Sequence, residues 1–305
     1  MSLINFIVHK VLLKNKQNYD PNNPPDYPKA RETDIKQNGL IPLPKTMKFA
    51  SVNLGSIDTE IAYGDEIGDK AILYLHGGGF VSGCALSRRG FTANLSKRTG
   101  LPVYVPNYRL APEHRFPAAL DDCHQAYEAL LKRFGPQNIF VIGESAGGNL
   151  VLALMHKIKD NGEPMPAGIA VLSPVVQFLE KYDSYQANYA KDPILSNVHE
   201  EMLDMYFEEK DPEIIDHPYA SPIHGDFSRF PKTLITVSET ELLRDDAHKA
   251  CEAMKTQGVD VQLFSRKNLL HAWPIIASLP EAKKDIKTIA KFVADCLNAG
   301  SDAKA

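Results

Sequence analysis

At 305 residues the chain is long enough to bury a large core, as one large α/β unit or as two ordinary domains. Its hydrophobic fraction of 44%, charged fraction of 24% and formal net charge of −4 suit a soluble globular protein and lack the basic surplus of a nucleic-acid-binding chain. No basic run is long enough to suggest electrostatic membrane attachment, and no apolar run approaches the roughly 20 residues that span a bilayer.

From the N-terminus, Ser2 to Lys16 reads as an amphipathic helix packed on the body of the protein. A secretory leader is disfavoured because the apolar run Leu3–Val8 is short, is interrupted by Asn5 and is followed by His9 and Lys10 with no small-residue cleavage site. Residues 17–46, which include Pro21, Pro24, Pro25 and Pro28, suit a loop or loosely structured arm. Met47–Leu54 and Ile57–Gly64 read as two strands joined in a hairpin at Gly55-Ser56. Short apolar strands follow at Ala71–His76, Val103–Pro106, Ile139–Ile142, Ile169–Leu172, Thr233–Val237 and Val261–Phe264. Helical patterns intervene at Ser87–Thr99, Pro117–Phe134, Ala146–Asn161, Asp245–Gln257 and Pro280–Leu297. Apolar strands alternating with helices predict a mostly parallel sheet covered on both faces, an α/β architecture. About sixty residues separate Leu172 from Thr233, with a helical segment near Asn197–Glu208 and a Pro- and Asp-rich run at Asp211–Pro222. This is too long for a simple crossover and is expected to cap the carboxyl edge of the sheet. The cysteines Cys84, Cys123, Cys251 and Cys296 are scattered, with no metal-ligand spacing, and read as reduced thiols of a cytoplasmic protein.

Two motifs carry chemistry. In Ile139-Phe-Val-Ile-Gly-Glu-Ser145-Ala-Gly147 a strand runs into Gly-x-Ser-x-Gly and a helix follows at once. That context exposes a serine hydroxyl on a sharp turn and aims a helix N-terminus at charge developing beside it. A phosphate-binding loop is disfavoured at this place, because Asn149-Leu150 stands where Lys-Ser/Thr is required. Earlier, His76-Gly77-Gly78-Gly79-Phe80 follows a strand directly. Its glycines leave backbone N–H groups open to a ligand oxygen, as acyl transfer requires for the tetrahedral oxyanion.

Together with YRLAPEHRFPAALDD at 108–122, ELLRDD at 241–246 and HAW at 271–273, these motifs make the chain resemble the hormone-sensitive-lipase-like carboxylesterases over roughly residues 47–298. The resemblance implies an α/β-hydrolase fold with an eight-stranded, mostly parallel sheet. It implies an oxyanion hole from the N–H groups of Gly78, Gly79 and Ala146. It also implies a cap made from an N-terminal arm, residues 1–46, and an insertion at about 177–225 within a catalytic unit of residues 47–305.

In this fold the triad runs serine, acid, histidine along the chain. His271, in a loop after the last strand, is the expected base; His248 falls in a helix, His224 in the Pro-rich run, and His76 is expected to order its own loop. Family members carry Asp-Pro-Leu-x-Asp where this chain has Glu-Leu-Leu-Arg-Asp, so aligning Leu243 places Glu241 on the acid. Asp245 and Glu239 remain alternatives. A second departure is Glu144, which replaces an aspartate before the serine. Phe80 and Trp273 read as core residues or as walls of a substrate pocket, and Tyr108 to His114 as a loop bracing the site.

The expected activity is hydrolysis of short-chain (acetyl to hexanoyl) carboxylic esters by Ser145, Glu241 and His271. No metal or organic cofactor is called for, because no clustered Cys/His ligand set occurs. The expected partner is a small-molecule ester, with no nucleic acid and no membrane span, and a homodimer is left open. Rival readings are a deacetylase of acetylated sugars or a hydrolase of small-molecule amides with the same triad, a true lipase, and a non-catalytic ligand-binding relative.

Overall fold

The computed structural model describes residues 2–17, 26–38, 42–195 and 198–302. Helices α1 (Leu3–Gln17) and α2 (Tyr27–Asn38) precede the hairpin β1 (Lys48–Leu54) and β2 (Ile57–Tyr63). Then come β3 (Ala71–Leu75), α3 (Ala85–Thr99), β4 (Val103–Pro106), α4 (Ala118–Phe134), β5 (Ile139–Glu144), α5 (Ala146–Asp160) and β6 (Gly168–Leu172). After three short helices, α6 (Asp183–Ala187), α7 (Val198–Tyr206) and α8 (Pro212–Ile215), the chain returns through β7 (Thr233–Ser238), α9 (Arg244–Thr256), β8 (Val261–Arg266) and α10 (Pro280–Asp302). All eight expected strands form, within a residue or two of their sequence-derived limits.

They build one sheet in the order β1-β2-β4-β3-β5-β6-β7-β8. The first hairpin is antiparallel, β2 also runs antiparallel to β4, and every other neighbouring pair is parallel. Side chains alternate across this sheet with period two. Leu73, Leu75, Tyr104, Val141, Val171 and Ile235 pack with α4, α5 and α9 on one face. Ile72, Tyr74, Val105, Phe140, Ile142 and Leu234 pack with α3 and α10 on the other. Burial on both faces explains why the strands read as unbroken apolar runs.

The parallel register aligns strand ends. Leu75 pairs with Gly143, Glu144 with Leu172, and Leu172 with Thr236. The residues that follow β3, β5, β6, β7 and β8 therefore gather along one edge, although they are far apart in sequence.

One expectation needs correction. Residues 17–46 do not form a loop throughout, because Tyr27–Asn38 is helical, while residues 18–25 and 39–41 lie outside the described residues. The α2 sequence is mostly polar and shows no apolar stripe. It is held by tertiary polar contacts: Arg31 donates to the carbonyls of Val81 (2.7 Å) and Ala111 (2.7 Å) and to both carboxylate oxygens of Glu113 (2.9 and 2.8 Å). The expected helix near Asn197–Glu208 is α7, with residues 196–197 outside the described residues. The four cysteines are unpaired.

Candidate active site

Ser145 sits at the junction of β5 and α5 with φ +56° and ψ −121°. A non-glycine residue in such a conformation costs roughly 1–3 kcal/mol, and its surroundings must hold it there. The Ser145 N–H donates to the carbonyl of Leu172 at 2.9 Å, fastening the turn to β6. A Cβ at Gly147 would overlap the carbonyl oxygens of Leu75 and His76, so the first turn of α5 can lie on the end of β3 only without one. The spelling Gly-x-Ser-x-Gly is thus a packing requirement. It leaves Ser145 partly exposed at the N-terminus of α5, where the helix dipole favours negative charge.

The glycine loop after β3 arches over this turn. Gly78, Gly79 and Phe80 have φ of +124°, +62° and +64°. The Gly78 carbonyl accepts from the N–H groups of Val81 (3.2 Å) and Ser82 (3.0 Å) and from the Ser82 hydroxyl (3.0 Å). Among the described residues, the N–H groups of Gly78, Gly79 and Ala146 donate to no other protein group. Phe80 is fully buried and stacks on Tyr206 of α7 with centroids 3.8 Å apart, so it ties this loop to the insertion after β6.

His76 anchors the start of the loop. Its ring stacks on Tyr108 at 4.2 Å, and the Tyr108 hydroxyl donates to the His76 carbonyl at 2.5 Å. Burial, reinforced by the nearby Arg88 cation, lowers the His76 pKa to about 3, so the ring stays neutral near neutral pH and acts as a brace. Glu144 is buried beside it, accepting from Arg88 Nε (2.9 Å) and the Tyr74 hydroxyl (2.5 Å). The residue before the serine therefore fixes the elbow to α3 and β3.

The structure brings Glu241 and His271 together. Glu241 Oε2 lies 3.5 Å from His271 Nδ1, and both side chains are buried. That separation is long for a hydrogen bond, as such contacts commonly are before substrate engages. Burial pushes the Glu241 carboxyl above its ordinary range despite the opposing pull of His271. Burial also opposes charge on His271, but the adjacent Glu241 carboxylate more than offsets this and the imidazole titrates above its ordinary value. Nε2 of His271 is buried and makes no hydrogen bond among the described residues.

The alternative groups lie in other partnerships. Glu239 pairs with His248 (3.1 Å), His224 with Asp216 (3.4 Å), and Asp245 with Arg244 (2.7 Å) and the Ser184 N–H (2.8 Å). Asn149 donates to the carbonyls of Val175 (3.1 Å) and Ala220 (2.8 Å), a structural role at the place where a phosphate loop would carry lysine. Trp273 is core: it packs with Leu269, Leu270 and Leu279 and donates to Asp285 at 3.1 Å.

Several residues at this edge carry no motif. Ser173, at the end of β6, donates to Glu241 Oε2 at 3.0 Å and accepts from the Ala272 N–H at 3.1 Å. From the insertion, Asn188 donates to the carbonyls of Glu239 (3.1 Å) and Glu241 (2.9 Å). The buried Asp192 accepts from the N–H groups of Leu242 (2.8 Å), Ile194 (2.9 Å) and Leu195 (3.0 Å). The segment after β6 therefore encloses the acid loop from outside. No motif marks Asn188 or Asp192, because their burial is not visible in sequence.

A sequence profile of the α/β-hydrolase fold matches residues 72–275. The crystal structure of a hormone-sensitive lipase from a metagenome library matches with a TM-score of 0.91 at 31% identity, covering 97% of this chain and 99% of that one. The chain belongs to the hormone-sensitive-lipase-like α/β-hydrolases. Crystals of the esterase EstE5 contain a similar fold, with a TM-score of 0.90 and 30% identity over 98% of this chain and 100% of that one. This hydrolase is also 32% identical over 230 residues to an acetyl-hydrolase of Streptomyces hygroscopicus, covering 73% of this chain and 75% of the relative. It is 33% identical over 234 residues to the esterase LipU of Mycobacterium tuberculosis, covering 73% and 77%.

Proposed function

We propose that this carboxylic ester hydrolase cleaves short-chain esters, acetyl to hexanoyl, through an acyl-enzyme formed on Ser145. The observation that carries this reading is the convergence, at one sheet edge, of a strained serine on a helix N-terminus with a buried Glu241–His271 pair. His271 takes the Ser145 proton at Nε2 as Oγ attacks the ester carbonyl. Glu241 fixes the imidazole through Nδ1 and stabilises the cation that forms. The N–H groups of Gly78, Gly79 and Ala146 donate to the developing oxyanion, each donor worth about 3 kcal/mol in the transition state. The tetrahedral intermediate collapses, His271 returns the proton to the departing alcohol, and water then repeats the sequence on the acyl-enzyme.

In this reading the described parts of residues 1–46 and of about 177–225 form the cap. The Lys16 ammonium of α1 donates to the carbonyls of Tyr189 (2.8 Å) and Asp192 (2.9 Å), which joins the two parts. The name of the Streptomyces relative favours the acetyl end of the range. Unpaired cysteines and the net charge of −4 support a cytoplasmic enzyme that takes a small-molecule ester and no nucleic acid. No described helix is long and apolar enough to cross a membrane.

The test is a series of p-nitrophenyl esters from acetate to decanoate, with wild type and Ser145→Ala. Turnover is expected to fall beyond hexanoate and to drop by about 10⁴-fold or more in the variant. Full turnover by Ser145→Ala would overturn the mechanism, and a flat or rising chain-length profile would overturn the substrate class.

A further inference from the structure

Helix α1 has two apolar faces. On the inner one, Val8 and Leu12 pack against Leu269, Leu270, Trp273 and Leu279, and the buried Asn5 donates to the Asn268 carbonyl at 2.9 Å. On the outer one, Leu3 (73%), Ile4 (49%), Phe6 (45%), Ile7 (52%) and Val11 (54%) are exposed. These are five of the ten large hydrophobic side chains exposed among the described residues, gathered in nine positions of one helix.

The charges on α1 have one sign. Leu3–Gln17 contains Lys10, Lys14 and Lys16 and no acidic residue, although the whole chain carries a net −4. Lys10 and Lys14 are exposed, with Lys10 Nζ 5.5 Å from the centre of the Phe6 ring, beside the apolar face. Exposed apolar side chains flanked by lysines are what a helix lying in a lipid interface presents. An isologous contact between two copies would set α1 against α1 and offer these lysines no carboxylate on the facing helix.

We infer that the outer face of α1 docks this hydrolase on an anionic lipid surface, with Leu3, Ile4, Ile7 and Val11 entering the headgroup boundary and Lys10 and Lys14 meeting lipid phosphates. The inner face of the same helix covers the loop that carries His271, so docking brings the expected base close to the lipid. Ester substrates partitioned into that surface then reach the site without crossing bulk water. Docking itself does not rest on the proposed esterase mechanism; only this last consequence does.

The experiment is co-sedimentation of the full chain with vesicles of pure phosphatidylcholine or of phosphatidylcholine containing one-third phosphatidylglycerol, alongside p-nitrophenyl acetate turnover in solution. Wild type is expected to bind the anionic vesicles, more weakly as salt rises. Lys10→Glu and Lys14→Glu should each weaken binding by at least about fivefold, and Ile7→Glu/Val11→Glu should abolish it. All variants should keep solution turnover within about twofold, which shows that they fold. Binding indifferent to lipid charge, or unchanged in Ile7→Glu/Val11→Glu, overturns the inference. So does a dimer by light scattering that the same double variant dissociates, since a second copy would then be the occupant. Absent turnover with intact vesicle binding would sink the esterase reading and leave docking standing.

Discussion

The Ser173 hydroxyl donates to Glu241 Oε2 at 3.0 Å and accepts from the Ala272 N–H at 3.1 Å, so one buried side chain couples the loops of the expected acid and the expected base. Among the described residues, Glu241 Oε1 has no hydrogen-bond partner and Ser173 is the one hydroxyl that donates to the carboxylate. Ser173→Ala is therefore expected to lower kcat by about 10- to 100-fold, with KM nearly unchanged, because orientation of His271 suffers and substrate contacts do not. It should also cost about 1–3 kcal/mol in thermal or urea unfolding. An unchanged kcat would show that the hydroxyl does not position the pair.

The pH profile of kcat/KM reports the same pair. The active imidazole is neutral, so activity rises as His271 loses its proton. Because Glu241 holds the imidazolium, the acidic limb is expected above the ordinary histidine range. Glu241→Gln removes that stabilisation: the limb should move to lower pH while the rate falls by about 10³- to 10⁴-fold. Asp245→Asn should leave the limb in place, since Asp245 pairs with Arg244 and the Ser184 N–H. The reverse pattern would transfer the acid role to Asp245.

Asp192 offers a test of the cap's grip on the acid loop. Its Oδ2 takes the Leu242 N–H at 2.8 Å, one residue past Glu241. In Asp192→Ala that buried N–H loses its acceptor, at a cost of about 1–3 kcal/mol. Amide exchange at Leu242 should accelerate well beyond that in β5, with a fall in kcat. Equal protection in both proteins would mean that the loop holds itself.

Arg88 and Glu144 form a mostly buried ion pair at 2.9 Å, with Asp34 3.6 Å from Arg88 as a second partner. Arg88→Met leaves a buried carboxylate beside the elbow and is expected to cost about 3–5 kcal/mol. Arg88→Met/Glu144→Leu should be less destabilised than the single variant, because no charge remains stranded. Chemical denaturation of the two proteins decides, and a more stable single variant would refute the account.

Two glycine substitutions separate packing from backbone preference. Gly147→Ala forces a methyl onto the carbonyls of Leu75 and His76 and should abolish soluble, active protein. Gly100→Ala, at φ +73° with open space around it, should cost only about 1 kcal/mol and keep full activity. Comparable behaviour of the two would contradict the packing argument at the elbow.

Much of the fold and site is legible in the sequence because it rests on local rules. Burial on both faces makes strands such as Ala71–Leu75 continuous and apolar, and so readable. A turn with no room for a methyl must be spelled with glycine, which made the regions around Gly78 and Gly147 visible. Glu241 was harder, since Glu239, Glu241 and Asp245 share one short stretch and nothing local distinguishes them. Their separate partners, His248, His271 and Arg244, appear only when the loops are folded.

What the chain determined by itself is therefore the sheet, the strained serine turn and the glycine loop, each a consequence of short-range sterics or of period-two burial. Tertiary structure alone decided the rest. Polar α2 is helical because Arg31 reaches the carbonyls of Val81 and Ala111. The carboxylate facing His271 is selected by Ser173, Asn188 and Asp192, which reach it or its loop from across the edge. Such contacts depend on buried donors and acceptors being matched between segments 50 to 99 residues apart. No periodicity or spacing in a single sequence records that matching, because the requirement belongs to the desolvated space between the segments.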